Sequence, residues 1–284
     1  MLLALADEIN SALRRTVAAA ELPPHLAEAV EYALLSGGKR LRPALVLLCC
    51  EAVGGRREAG MPAAVALELI HTFSLVHDDL PSMDDDALRR GRPTLHVHAG
   101  EAMATLAGDA MISIAFGVLA ETPPAIAARL VGELASGTTA MITGQVYDTL
   151  GGVGSELSAE AALRLVHRNK TGALLRCACR MGALCGGAGP ETFEHLTRYG
   201  EAVGLMFQIV DDLLDVTQST EHLGKMAGKD ISAGKLTYPG VLGVDRSRSE
   251  VERLAAAARS AVEPLGSAAH VLRTLSDDMA VRTR

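Results

Sequence analysis

Apolar residues recur at helical spacing through most of the chain. Gly and Pro interrupt them at Pro23-Pro24, Gly54-Gly55, Pro123-Pro124, Gly151 to Gly154, Gly186 to Pro190 and Pro264. The segments between these breaks run roughly fifteen to thirty residues, the length of globular helices. Val65, Leu69, Phe73 and Val76 form the predicted buried stripe of one such segment, and Phe207, Val210 and Leu214 that of another. No composition shift, long Ser/Gly linker or repeat of fixed period divides the chain. The pattern predicts one all-α domain over residues 1–284, a bundle of about ten helices joined by short loops. Lys225 to Tyr238 reads as a long polar loop.

Composition supports helices over sheet. Apolar residues make up 49% of the chain, aromatics only 3%, and Trp is absent, whereas a sheet would want β-branched and aromatic residues. The formal net charge of -7 argues against nucleic acid as the main partner. Small anionic substrates stay open if metal or local Lys/Arg supplies positive charge. Cys49, Cys50, Cys177, Cys179 and Cys185 are odd in number and match no zinc spacing, so a reducing cytoplasm is the simplest setting. Asp7 and Glu8 interrupt the apolar start, and no later run reads as long enough to span a membrane.

Against this background two acidic clusters stand out. Asp78, Asp79, Asp84, Asp85 and Asp86 crowd the end of the Val65 stripe, and His71 lies nearly two turns before Asp78 on the same face. On a straight helix Asp78 and Asp84 would sit about 120° apart. Pro81 lies between them, so a kink is expected to turn both toward one ion. Alone, this cluster reads equally as an acidic helix end or a solvated loop. The second cluster places Gln208, Asp211, Asp212 and Asp215 within one stripe of an apolar helix. Carboxylates on a core-adjacent edge need cations, and oxygen-only ligands favour magnesium over zinc or copper.

Basic residues accompany the acids. Gly37-Gly38 precedes Lys39 and Arg42, which are spaced for one helical face; Arg89, Arg90 and Arg92 follow the first acidic cluster. Arg suits bidentate contact with phosphate oxygens. Lys170-Thr171 and the lysines Lys225, Lys229 and Lys235 complete the set. Together these features predict two anionic substrates, one bound through metal and one through side chains, a division that fits diphosphates.

From about Leu22 to Pro239 the chain resembles the trans-isoprenyl diphosphate synthases, the head-to-tail prenyltransferases that include farnesyl and geranylgeranyl diphosphate synthases. The resemblance rests on Gly37 to Pro43, on Asp78 to Asp84 with Leu88 to Thr94, on Lys170 to Ala173, and on Asp211 to Asp215. It implies an antiparallel helical bundle around a deep central cavity, usually in a homodimer, with the aspartate motifs facing each other across its mouth. Three magnesium ions, with manganese as an alternative, would bridge the motifs to the allylic diphosphate. Asp78, Asp84 and Asp211 would bind metal, with Asp79, Asp212 and Asp215 contributing directly or through water. Arg89, Lys170 and Lys225 would contact the allylic diphosphate. Lys39, Arg42, His71 and Arg90 would hold isopentenyl diphosphate without metal. Thr171, Gln208 and the Lys170 carbonyl would face the carbocation.

Product length follows cavity depth. Phe73, with Ser74 beside it, lies about 7.5 Å deeper along the helix axis than Asp78. In bacterial relatives an aromatic at this position typically floors the pocket at fifteen carbons. The expectation is farnesyl diphosphate, with geranylgeranyl or geranyl diphosphate as alternatives. A terpene cyclase would not need Lys39, Arg42 and His71, and a non-catalytic regulatory subunit commonly loses carboxylates that are intact here. The chain ends in Arg282-Thr283-Arg284 instead of the basic Arg-Asn-Lys-like tail of many relatives.

Overall fold

The computed structural model describes residues 2–217 and 236–281. Among them the α-helices are α1 (Leu2–Ala19), α2 (Pro24–Leu34), α3 (Leu41–Ala52), α4 (Arg57–Asp78), α5 (Leu95–Ala99), α6 (Glu101–Ala120) and α7 (Pro124–Leu150). They continue as α8 (Ala159–His167), α9 (Ala173–Cys185), α10 (Pro190–Thr217), α11 (Tyr238–Leu242), α12 (Val244–Val262) and α13 (His270–Ala280). A π-turn, Arg168–Gly172, joins α8 to α9. The sheet content of the described residues is one small hairpin, β1 (Leu88–Arg89) against β2 (Arg92–Pro93). The fold is all-α, as the apolar pattern predicts.

Local chemistry sets the ends. Pro24 and Pro124 sit in the first turns of α2 and α7, where a missing N–H breaks no helical bond. The Ser158 hydroxyl accepts from the Ala161 N–H at 3.2 Å and caps α8. Around Pro81 the expectation needs correcting. There is no kinked helix: α4 stops at Asp78, and the chain turns back so that the Asp84 N–H donates to the Asp78 carbonyl at 2.9 Å. Convergence of the two aspartates comes from this turn. Lys39 and Arg42 also do not share a helical face, because residues 37–40 lie outside any helix and Arg40 adopts a left-handed φ of 51° just before α3 begins.

The core centres on α4 and α9. Helix α4 packs against α3, α6 and α9, while α9 also meets α7 and α10, and α10 meets α12. Val65, Leu69, Phe73 and Val76 are all buried, as are Val210 and Leu214, whereas Phe207 is only partly so. Two glycines let neighbouring helices close on the π-turn. A Cβ on Gly144 of α7 would lie 2.1 Å from the Lys170 amide nitrogen, and one on Gly204 of α10 would lie 2.8 Å from the Gly172 Cα. Neither site has room for a side chain.

The expectation that no stretch reaches membrane length is also corrected. By length and composition α4 and α6 both pass, with mean hydropathies of 1.4 and 1.7. They reach it through Ala, Gly and Met as well as Leu and Ile, despite single acidic interruptions such as Asp109. Helix α4 is mostly core, 67% buried, whereas α6 is 33% buried. Leu106 of α6 is largely exposed.

Candidate active site

A cavity of about 620 Å³ lies between α3, α4, α6, α7 and the π-turn. Of the residues singled out in the sequence, Arg42, His71, Phe73, Ser74, Asp78, Lys170 and Thr171 line it. Its walls carry two differently charged ends with an apolar stretch of Phe73, Met141, Ile142, Val146 and Leu174 between the helices.

At the basic end, Arg42 Nη1 lies 3.3 Å from His71 Nε2. Burial, then neighbouring Arg42, Arg90, Arg89 and Arg40, pushes the His71 imidazole well below its ordinary value, so it is neutral at pH 7. Burial brings Arg42 down to about 10, with Glu68 opposing and Arg90 assisting, and it keeps its charge. Arg90 donates to the Gly37 carbonyl and lies against Gly38, where a Cβ would meet its guanidinium at 2.5 Å. Gly38 therefore admits Arg90 by having no side chain. Arg40, unremarked in the sequence, is 4% exposed and pairs with the buried Glu68 at 2.6 Å. This pair fixes the 37–40 loop from beneath. Lys39 is exposed on that loop and does not line the cavity.

At the acidic end burial pushes the Asp78 carboxyl up to about 6, Lys170 opposing, Asp84 adding and Arg89 opposing. Asp78 thus feels both Asp84 and Lys170. The Lys170 ammonium donates to Asp148 Oδ2 at 2.5 Å, and Asp148 is one of the residues that sequence reasoning missed. From Thr171 a chain of hydrogen bonds leads to the second motif: its hydroxyl donates to Gln208 Oε1 at 2.7 Å, and Gln208 Nε2 donates to Asp212 Oδ1 at 2.8 Å. The other Asp212 oxygen accepts from the Tyr238 N–H at 2.9 Å. The two aspartate motifs are therefore neighbours, joined through Lys170 and Thr171.

The aspartates differ in what already holds them. Asp79 is 3% exposed and takes three bonds of 2.6 to 2.9 Å from Arg89. Both lie outside the main cavity, beside a small cleft that also contains Arg90 and Thr72. Asp211 is half-buried. Asp215 is 3% exposed, and neither of its carboxylate oxygens has a hydrogen-bond partner among the described residues. A buried bare carboxylate is costly unless a cation meets it. Among the described residues no three carboxylate, imidazole or thiolate groups form a preformed cage. Magnesium would bind such carboxylates one or two at a time and complete its shell with water and phosphate oxygens. Lys225, Lys229, Lys235, Arg282 and Arg284 lie outside the described residues.

Gln145 is a further residue that the sequence did not mark. It stands on α7 one turn before Asp148, lines the cavity, and has both amide atoms buried without a hydrogen-bond partner. A lone Gln or Asp in a long helix carries no local signal; only the packing of α7 on the π-turn identifies these two.

The polyprenyl synthetase family profile matches residues 23–274. The chain is 48% identical over 255 residues to geranylgeranyl pyrophosphate synthase 7, chloroplastic, of Arabidopsis thaliana, covering 88% of this chain and 73% of that protein. It is 47% identical over 264 residues to the heterodimeric geranylgeranyl pyrophosphate synthase large subunit 1, chloroplastic, of the same plant, covering 89% and 71%. Among solved structures, an apo FPP/GFPP synthase from Zymomonas mobilis superposes with a TM-score of 0.85 at 33% identity, covering 99% of both chains. The geranylgeranyl pyrophosphate synthetase of Pyrococcus horikoshii gives 0.87 at 30%, covering 99% and 97%. With profile, relatives and fold in agreement, and the aspartate motifs adjoining one cavity, this chain belongs to the polyprenyl synthetase family and is a trans-prenyl diphosphate synthase.

Proposed function

We propose that this enzyme condenses isopentenyl diphosphate with dimethylallyl and then geranyl diphosphate, using magnesium, and releases farnesyl diphosphate. The observation that carries the reaction is one cavity with a cationic end, Arg42 beside the neutral His71, and a carboxylate-lysine end, Asp78 and Lys170. Isopentenyl diphosphate belongs at the first, beside Arg90 and Lys39. The allylic diphosphate belongs at the second, where Lys170 would contact it, with Arg89 reaching in from the small cleft and Lys225, outside the described residues, assigned by the family resemblance alone.

Asp78, Asp84, Asp211 and the bare Asp215 would hold magnesium, with Asp79 and Asp212 acting through the groups already bonded to them. Bound there, magnesium supplies charge to the departing diphosphate. The chain does the rest. Lys170 and Arg89 stabilise the leaving group as the allylic C–O bond breaks, its electron pair leaving on oxygen. Arg42 and His71 hold the diphosphate of the isopentenyl substrate so that its double bond faces the resulting cation, a gain from orientation alone. A new C–C bond forms, and the proton lost from isopentenyl diphosphate goes to the released diphosphate. Thr171 and Gln208 line the path of the cation.

For the C15 product the support is Phe73, buried at 5% exposure, in edge contact with His77 at 5.7 Å and lining the cavity. The names of the plant relatives favour a second reading, geranylgeranyl diphosphate. Chromatography of the dephosphorylated products decides: wild type should stop at C15 and Phe73→Ala should run longer. A wild-type C20 product, unchanged in Phe73→Ala, would establish the second reading.

A homodimer, as the family resemblance implies, is part of the proposal, and α6, which is 33% buried and exposes Leu106, is the helix proposed for its interface. Five unpaired thiols suit a reducing compartment such as the cytoplasm.

A further inference from the structure

We infer that Gln145 is a catalytic residue whose side-chain carbonyl faces the allylic carbon on which positive charge develops. The inference rests on the prenyltransferase reading above.

The starting point is an anomaly of hydrogen bonding. Oε1 and Nε2 of Gln145 are both buried from solvent, and neither has a hydrogen-bond partner. A buried amide is normally paired, and an unpaired one penalises the fold. The polar neighbours on the same wall are already engaged: the Thr171 hydroxyl with Gln208, the Lys170 ammonium with Asp148, and Arg42 Nη1 with His71. Gln145 therefore keeps its donors and its acceptor for a ligand.

Position selects which ligand atoms it meets. Met141, Ile142 and Val146 flank Gln145 on α7, and with Phe73 and Leu174 they form the apolar part of the cavity. That stretch suits the hydrocarbon of a prenyl chain, whereas the diphosphates belong with Arg42 and His71 at one end and Asp78 and Lys170 at the other. Hydrocarbon offers an amide no hydrogen bond in the bound substrate. Once the C–O bond ionises, the allylic carbon carries positive charge and the amide oxygen, free to turn inward, has a partner. The interaction exists in the transition state and not before, which is the kind that raises kcat without tightening substrate binding. Gly144, next in sequence, lets α7 approach the π-turn closely, and Gln145 and Thr171 line the same cavity.

The test compares wild type, Gln145→Leu and Gln145→Glu in single-turnover assays with geranyl diphosphate, isopentenyl diphosphate and magnesium, alongside ligand-free thermal melts. Leu removes two unpaired groups, so Gln145→Leu should melt at or above the wild-type temperature. Its rate should fall about tenfold to a hundredfold with KM for geranyl diphosphate unchanged. Gln145→Glu, which retains a carbonyl-type oxygen, should recover part of the lost rate. A Gln145→Leu rate within about twofold of wild type, a change confined to KM, or a lowered melting temperature would each overturn the assignment. Absence of wild-type turnover with both diphosphates would overturn the prenyltransferase reading and this one with it, whereas an active wild type with an unaffected Gln145→Leu overturns this one alone.

Discussion

The two aspartate motifs are equally acidic in sequence and opposite in construction. The first is the frayed end of α4, where a turn folds Asp84 back onto Asp78 and Arg89 clamps Asp79. The second lies inside α10, where Gln208 and the Tyr238 N–H occupy Asp212 while Asp215 is buried bare. One motif is ordered by its own salt bridge and the other by the helix that carries it. Within each, one carboxylate is spent on architecture and another is left for a ligand. Substitutions should therefore separate activity from stability within a single motif.

The largest separation is expected at Asp78. Asp78→Asn should lower turnover by about 10²–10³-fold, by analogy with loss of one transition-state charge contact, and leave the ligand-free melting temperature at or above wild type. Its carboxyl is raised by burial, so a neutral amide is tolerated there. A melting temperature that collapsed with the activity would erase the contrast with Asp79.

Asp79→Asn should do the reverse first, destabilising the fold by about 2 kcal/mol, since it breaks a charge-assisted pair whose guanidinium partner is 30% exposed. Urea denaturation measures it; loss of activity with unaltered stability would show that Asp79 acts as a ligand group and not through Arg89.

At Asp215 the expectation inverts. Asp215→Asn should stabilise the metal-free protein by about 1 kcal/mol, because it removes a buried unpaired charge, and should shrink the gain in melting temperature on adding magnesium. Destabilisation without metal would mean that the carboxylate already has a structural partner.

The smallest effect is a pH slope. Burial lowers His167 to about 4, with Asp148 opposing and Lys170 assisting, while in the unfolded chain it titrates near 6.5. Between these values the unfolded state binds the extra proton, so stability falls as pH drops from 6.5 toward 4, by about 1.4 kcal/mol per unit from this group. His71, lowered for the same reason, acts in the same direction. His167→Gln should flatten the slope measured by denaturation at stepped pH.

Much of this was legible in the sequence because it is written locally. The Val65 to Val76 stripe, the aspartate runs and the Gly37-Gly38 pair each declare themselves within a dozen residues. What the sequence hid is what only packing creates. Helical spacing put Lys39 and Arg42 on one face, but the left-handed Arg40, anchored on Glu68 from another helix, delays the start of α3. Pro81 promised a kink because nothing local says that a turn bonding Asp84 to Asp78 is better. Asp148 and Gln145 acquire meaning only through Gly144, whose bare backbone lets α7 touch the π-turn.

That wide turn between α8 and α9 also governs how the gene can change length. A π-turn accommodates one residue more than a regular helix would over the same rise. Deleting a single residue from Arg168–Gly172 would remove the bulge and leave α8 and α9 in one unbroken rod near their present bearings. What would change is the bulge itself, whose backbone at Lys170 and Gly172 lies against Gly144 and Gly204. The same deletion within α8 or α9 would instead swing everything beyond it by about 100°. The extra residue therefore marks the one place in this rod where length can change at the expense of the catalytic wall and not of the core.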